Sequence, residues 1–119
     1  MKVRCVKQIN SYGAPIESSS WLTTGNVYHV LEIYIERGSI DFRILGDEKF
    51  TPALHPAGQF ELVSGKIPSC WETKFLSNSF VLGPREWLEI GFWERFFDGE
   101  AEARKIFNGI YQAILAEDP

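Results

Sequence analysis

The feature that most constrains the fold is a series of short β-rich segments separated by turns that contain glycine or proline. The longest segment, residues 27–36, is rich in Val, Ile and Tyr, which favour strands. It is apolar on both faces, which is typical of a central strand or of one that bends around a small barrel. After a turn, residues 40–44 alternate between apolar and charged side chains, so we expect a half-buried strand antiparallel to the first.

Four further segments are predicted to be extended: residues 2–7, 50–54, 60–63 and a hairpin over 71–82. Pro52 restricts the second of them to an edge or a bulge, because proline cannot donate a ladder hydrogen bond. His55 stands beside Pro56 in a predicted tight turn, where a solvated imidazole is expected. Residues 8–20 have the composition of a polar loop with little to bury.

The C-terminal part of the chain is predicted to be helical. Gly91 is expected to separate two short helices within residues 85–99, and Asp98 is expected to cap a last, amphipathic helix. The apolar stripe of that helix comprises Ala103, Ile106, Phe107, Ile110 and Ile114. Gly109 within it costs about 1 kcal/mol relative to alanine, which indicates either close packing at that point or a weak helix.

The 119 residues, 45% of them hydrophobic, are enough for one domain with its own core. We therefore predict a single domain over residues 1–119, with a β-rich part at 1–83 and a helical part at 84–116. The expected class is α+β: a small antiparallel barrel or strongly bent sheet, an extra hairpin and a C-terminal helical layer.

The chain carries a net charge of −4, and its acidic groups collect near the end: residues 84–119 hold eight acidic and four basic side chains. Nucleic-acid binding depends on basic groups, so an acidic chain is a poor candidate for it, whereas a cationic protein surface would be attracted. No apolar stretch is long enough for a bilayer, and the N-terminal residues do not resemble a signal peptide. A cytoplasmic location without membrane contact is expected.

The sequence offers little for catalysis or for metal binding. Cys5 and Cys70 lie 65 positions apart with no metal-ligand spacing, and reduced thiols are expected. His29, within the strongest strand segment, is expected to be packed and hydrogen-bonded. A Cys70–His55 pair of nucleophile and base is conceivable in space, but Cys70 is followed by Trp71 and not by a helix start that would lower its pKa. The sequence therefore predicts a protein that is not an enzyme and needs no cofactor or metal.

Residues 86–98 (EWLEIGFWERFFD) combine five aromatic rings with four carboxylates. The more conservative interpretation is that the rings close one end of the sheet structure while the acids face water. The other interpretation is a face that binds a partner protein, with aromatic anchors and an acidic rim that accelerates encounter with a basic surface. The residues predicted to bind this partner are Trp87, Glu89, Trp93, Glu94, Phe97 and Asp98.

A resemblance to known proteins rests on Gly25, Tyr28, Val30, Leu31 and Ile33, on FRIL at 42–45, on PAL at 52–54 and on FELV at 60–63. Over residues 20–64 this run resembles the small SH3-like β-barrel. The remainder, with its Trp- and Phe-rich helices, is similar to small bacterial proteins, some of which are immunity proteins in toxin-based competition. The resemblance implies a cytoplasmic, non-enzymatic protein that binds and blocks one cognate toxin, such as a basic toxin domain.

Two alternatives remain open at the level of sequence. One is a small-molecule-binding protein or enzyme, with a pocket between sheet and helices lined by Trp71, Trp87, His55 and Cys70. The other is a structural homodimer, which predicts that the aromatic segment is buried across a two-fold axis.

Overall fold

The computed structural model describes the whole chain, residues 1–119. Its strands are β1 (Lys2–Cys5), β2 (Gln8–Ile9), β3 (Pro15–Ile16), β4 (Val27–His29), β5 (Glu32–Glu36), β6 (Ser39–Leu45), β7 (Pro52–Pro56), β8 (Phe60–Ser64), β9 (Trp71–Leu76) and β10 (Ser79–Pro84). Its helices are α1 (Arg85–Leu88), α2 (Phe92–Phe97) and α3 (Ala101–Glu117), and one 3-10 turn covers Ala57–Gln59.

The strands form three antiparallel sheets, ordered β4-β1-β8, β7-β6-β5-β10-β9 and β2-β3. The predicted α+β class, the 71–82 hairpin and the C-terminal helical layer are confirmed. The sheets are not closed into a barrel, so the architecture is one of packed layers.

The β-rich segment 27–36 divides between two sheets, because it contains both β4 and β5. Val30 and Leu31, at the junction, are both fully buried but belong to different apolar clusters. Successive side chains of an extended chain point to opposite sides, so one segment can supply two cores. This division accounts for the apolar residues on both faces of the segment.

The five-stranded sheet is the middle layer between these two clusters. Ile44 and Leu45 are neighbours on β6 and pack into opposite clusters, as their alternation along a strand requires. The cluster between the two larger sheets contains Val3, Cys5, Leu22, Tyr28, Val30 and Ile44. The cluster between the five-stranded sheet and the helices contains Leu31, Trp87, Phe92, Phe96, Ala103, Phe107 and Ile114.

His55 is an ordered member of β7 rather than a solvated turn residue, so that expectation is wrong. It lies opposite Phe42 of β6, and its ring meets Trp21 edge-on with the centroids 6.4 Å apart. Only 9% of the residue is exposed, and burial lowers the pKa of its imidazole. Pairing with β6 has therefore overridden the turn signal of Pro56.

The polar segment 8–20 is anchored by two buried glutamine side chains. Gln8 Nε2 donates to the Leu22 carbonyl oxygen at 3.2 Å, and the amide of Ile9 donates to Gln59 Oε1 at 2.9 Å. Gln8 is 5% exposed and Gln59 is 3% exposed, whereas residues 10–18 are all exposed, so the segment buries little beyond its first residue, as expected.

The helices begin and end close to the predicted positions. Gly91 separates α1 from α2 and has a φ of 82°, a left-handed conformation that glycine adopts without strain. The predicted cap of the last helix is wrong, because Asp98 ends α2 and its amide donates to the Glu94 carbonyl oxygen at 2.9 Å. Glu100 occupies the N-cap of α3 without a side-chain capping bond.

The end of α3 is tied to the three-stranded sheet. Ser64 Oγ donates to Asp118 Oδ2 at 2.7 Å, and His29 Nε2 lies 2.7 Å from the Asp118 carbonyl oxygen. The serine hydrogen bond is the largest cause of a lowered pKa at Asp118, with the nearby amino groups of Met1 and Lys2 acting in the same direction. His29 is therefore packed and hydrogen-bonded, as expected, and α3 is held at its C-terminal end.

Two glycines give opposite expectations for substitution by alanine. A Cβ on Gly83 would lie 2.6 Å from Glu32 Cγ, so the Glu32 side chain, which is 2% exposed and bonded to Arg43, would have to shift. A Cβ on Gly109 of α3 would meet nothing within 4 Å, so close packing does not explain that glycine. We expect Gly83→Ala to lower the free energy of unfolding by about 1–3 kcal/mol and Gly109→Ala to raise it by about 1 kcal/mol, measured by urea unfolding. Equal effects of the two substitutions would contradict this assignment.

Candidate functional site

A cleft of about 290 Å³ lies between the five-stranded sheet and the short helices α1 and α2. We call it the sheet–helix cleft. The sheet contributes Glu32, Arg43 and Lys74, and the helical segment contributes Trp87, Trp93 and the two acids Glu89 and Glu94. The sheet residues share one face because the register pairs Glu32 with Arg43 and, two strands away, Val81 with Lys74.

A buried ion pair lies at the bottom of the sheet–helix cleft. Arg43 Nε donates to Glu32 Oε1 at 2.7 Å, and Arg43 Nη1 donates to the Pro52 carbonyl oxygen at 2.8 Å. The guanidinium carbon lies 4.0 Å from the centroid of the Trp93 ring, a cation–π contact. Glu32 is 2% exposed and Arg43 is 9% exposed, so the guanidinium group is held by three neighbours away from bulk water.

Two residues that line this cleft each have a buried polar atom without a hydrogen-bond partner: Glu32 Oε2 and Trp87 Nε1. Buried polar groups are nearly always satisfied, so each unpaired group requires an explanation. Burial raises the pKa of Glu32, while the charge and hydrogen bond of Arg43 and the nearby Trp93 side chain oppose that rise. The bottom of the cleft therefore offers one unused acceptor and one unused donor.

The rim of the cleft carries charges of both signs. Glu89 and Glu94 are exposed and take part in no salt bridge. Lys74 Nζ donates to the carbonyl oxygen of Leu88, the residue before Glu89, at 2.7 Å, which holds the β9 edge against α1. The rim side chains therefore carry two negative charges and the positive charge of Lys74, which its bond to a neutral carbonyl does not cancel.

Four of the six residues predicted to bind a partner line this cleft: Trp87, Glu89, Trp93 and Glu94. Trp87 is only 1% exposed, so it supports the wall from inside and offers almost no surface to a partner. Phe97, 47% exposed, and the exposed Asp98 lie outside the cleft at the end of α2. Ile90, between the two helices, is 92% exposed and was not among the predicted residues.

The aromatic segment is largely interior, as the more conservative interpretation held. Trp87 stacks on Phe107 of α3 with the ring centroids 5.0 Å apart, and Trp93 meets both rings edge-on at 5.6 and 6.0 Å. Phe92 and Phe96 are also buried in this cluster. The rings therefore fix α1 and α2 on α3 and give the acidic rim a rigid base.

The sequence did not single out Glu32, Arg43 or Lys74. A signal for the first two exists, because a hairpin that turns at Arg37-Gly38 places Glu32 directly opposite Arg43. An acid facing a base on adjacent strands, inside apolar segments, indicates a buried pair only once that face is known to be covered by helices.

The four residues of the alternative pocket do not surround a common cavity. Trp71 packs against the cluster between the sheets, whereas Cys70 and Trp87 belong to the helical side. His55 lies on β7 against Trp21. Cys5 and Cys70 are free thiols, and burial raises the pKa of both.

Two further surface features lie outside the cleft. A second cavity of about 300 Å³ is lined by Lys49, Phe50, Arg104 and Tyr111, among others, and the Arg104 guanidinium lies 4.3 Å from the Phe96 ring centroid. On the other face of the five-stranded sheet, the ladder register aligns four apolar side chains in one row across β9, β10, β5 and β6: Phe75, Phe80, Ile35 and Ile40. Phe75 is 81% exposed and Ile40 is 46% exposed.

The chain has no group of three or more His, Cys, Asp or Glu side chains placed to hold a metal ion. None of its helices combines the length and the apolar character needed to cross a bilayer. Comparisons with protein-family models, with curated proteins and with solved structures find no match.

Proposed function

We propose that this protein is a non-enzymatic binding domain that recognises a basic protein partner through the sheet–helix cleft and the adjoining end of α2. The observation that carries the proposal is the interleaving of exposed acids and exposed apolar residues over 89–98, a segment whose rings Phe92 and Phe96 are buried. Glu89, Glu94 and Asp98 are exposed and unpaired, and Ile90 and Phe97 are exposed between them along the chain.

Charge and apolar area have separate tasks in such a surface. An acidic rim raises the association rate of a basic partner, whereas buried apolar anchors determine how long the complex lasts. Ile90 and Phe97 are the anchors in this proposal. The interior rings Trp87, Phe92 and Phe96 keep the anchors in place, so binding costs little ordering entropy.

The partner in this proposal is a toxin domain, and the protein acts as its immunity protein in the bacterial cytoplasm. Support comes from the acidic surface, from the net charge of −4 and from the resemblance of the helical part to immunity-type proteins. The SH3-like resemblance of residues 20–64 is part of the same proposal.

The test uses the basic domain of a polypeptide encoded next to this gene, with association rates measured by surface plasmon resonance at low salt. We expect the triple variant Glu89→Lys, Glu94→Lys and Asp98→Lys to associate at least about tenfold more slowly, because steering depends on the local field. The matched control changes the net charge equally at other sites, with Glu17→Lys, Glu36→Lys and Glu61→Lys. An equal loss in both triple variants, or none in either, would remove this surface from the proposal.

A second candidate function is supported by the unpartnered Glu32 Oε2 at the bottom of a cleft of about 290 Å³. A concave site with a few convergent polar groups is also what a small-molecule-binding protein or enzyme presents. Native mass spectrometry of the purified protein distinguishes the two. A stoichiometric small molecule that is lost in the Leu76→Trp variant would favour this second candidate, since Leu76 lines the cleft.

A further inference from the structure

We propose that the sheet–helix cleft receives a single basic side chain of the partner, whose guanidinium or ammonium group is bound by Glu32 Oε2, Glu89 and Glu94. This inference rests on the proposed function, since it names the part of a basic partner that the cleft recognises. It supplies a donor to Glu32 Oε2, a carboxylate oxygen that is otherwise buried without one.

The sign of the ligand's charge follows from which charged groups of the cleft already have partners. Arg43 is engaged by Glu32 Oε1, by the Pro52 carbonyl oxygen and by the Trp93 ring. Lys74 donates to the Leu88 carbonyl oxygen and keeps its positive charge. The acceptors remain free: Glu32 Oε2 has no partner, and Glu89 and Glu94 form no salt bridge. Three carboxylates line the cleft against the two cations Arg43 and Lys74, so a positively charged hydrogen-bond donor complements it better than an anion does.

The size of the cleft selects a side chain over anything larger. Its volume of about 290 Å³ is at the lower end of the range for ligand sites in proteins. Val81, Leu88 and the Trp93 ring line the cleft and offer apolar surface to a long aliphatic stem, and the acids of the same cleft offer acceptors to its charged end.

The first experiment titrates the full chain with N-acetyl-arginine N-methylamide and with the lysine equivalent, followed by ¹⁵N NMR of the indole groups. We expect saturable shifts of the Trp87 and Trp93 indole signals, because both rings line the cleft. N-acetyl-citrulline N-methylamide is the matched neutral ligand, and it should bind at least about tenfold more weakly since it lacks the charge.

Variants locate the binding. Glu32→Gln should weaken binding of the arginine derivative about tenfold, while Glu36→Gln, on the same face at the far end of β5, should leave it unchanged. Because Glu32 also holds Arg43, a second pair avoids the buried residue. Leu76→Trp should abolish binding by filling the cleft, and Phe75→Trp should not, since Phe75 lies on the other face of β9.

Three results would overturn the proposal: no saturable shift with either derivative, equal binding of the citrulline derivative, or full binding by Leu76→Trp. Tighter binding of agmatine than of the capped arginine would also overturn it, because the natural ligand of the cleft would then be a free small molecule and not a side chain of a protein. If the arginine derivative does not bind but the triple-lysine variant still associates more slowly than its control, the proposed function stands and only this inference fails. If the derivative binds but the two triple variants associate equally fast, the cleft binds a basic group and the proposed protein partner is wrong.

Discussion

Replacing Trp87 by alanine is expected to lower the free energy of unfolding by about 3–5 kcal/mol, the range for truncation of a large buried aromatic side chain. Trp87 is 1% exposed and stacks on Phe107 with the ring centroids 5.0 Å apart. Trp93 meets it edge-on at 5.6 Å. Removal of the indole leaves a cavity between α1 and α3 that these rings cannot fill, because each is held by other aromatic neighbours.

Phe97→Ala is the matched control, since it removes an aromatic ring from the same segment at a position that is 47% exposed. We expect it to change stability by less than about 1 kcal/mol and to weaken partner binding instead. Urea unfolding followed by far-UV circular dichroism measures both variants under identical conditions. A small effect of Trp87→Ala would mean that the position of the helices does not depend on the aromatic cluster. The statement that this cluster gives the acidic rim a rigid base would then be wrong.

The strand segments were predictable from local pattern, but their assignment to sheets was not. Residues 27–36 read as one strand that is apolar on both faces, and a central strand gives the same pattern as a chain that passes from one sheet to another. Only the long-range partners distinguish the two: Val27 to His29 pair with β1, and Glu32 to Glu36 pair with β6 and β10. His55 shows the same limit. Pro56 indicated a turn with a solvated imidazole, but pairing with Phe42 places His55 in a strand and buries it.

The sequence located the segment that forms the candidate site, but not the orientation of its side chains. The density of rings and acids in residues 86–98 pointed to the correct segment, yet composition alone does not say that Trp87 points inward and that Ile90 points outward. Glu32 and Arg43 were passed over because charged residues in strands normally face water. Their face is covered by α1 and α2, and that packing of distant elements is absent from any local window of the sequence.

Arg43→Met is expected to lower the free energy of unfolding by about 3–5 kcal/mol, because it leaves the Glu32 carboxylate buried without its counter-charge. The double variant Glu32→Met with Arg43→Met removes both charges and keeps the unbranched stem that passes Gly83. We expect the double variant to recover most of the loss, since replacing both members of a buried pair by apolar groups is often close to neutral. Arg4→Met, which breaks the exposed pair with Glu61 at 3.2 Å, should cost less than about 1 kcal/mol.

The loss in Arg43→Met should also depend on pH, and its sign follows from Glu32. Burial already holds the pKa of Glu32 above its ordinary value in the folded chain, so folding takes up a proton between the unfolded pKa, about 4.3, and the raised folded pKa. Stability from this group is fully present below the unfolded pKa and falls as the pH rises through that window. Without Arg43 the folded pKa rises further, so the window widens and the deficit of Arg43→Met grows from pH 4 to pH 7. Denaturant unfolding at both pH values measures it, and a deficit that is larger at pH 4 would show that Glu32 is not the group left uncompensated.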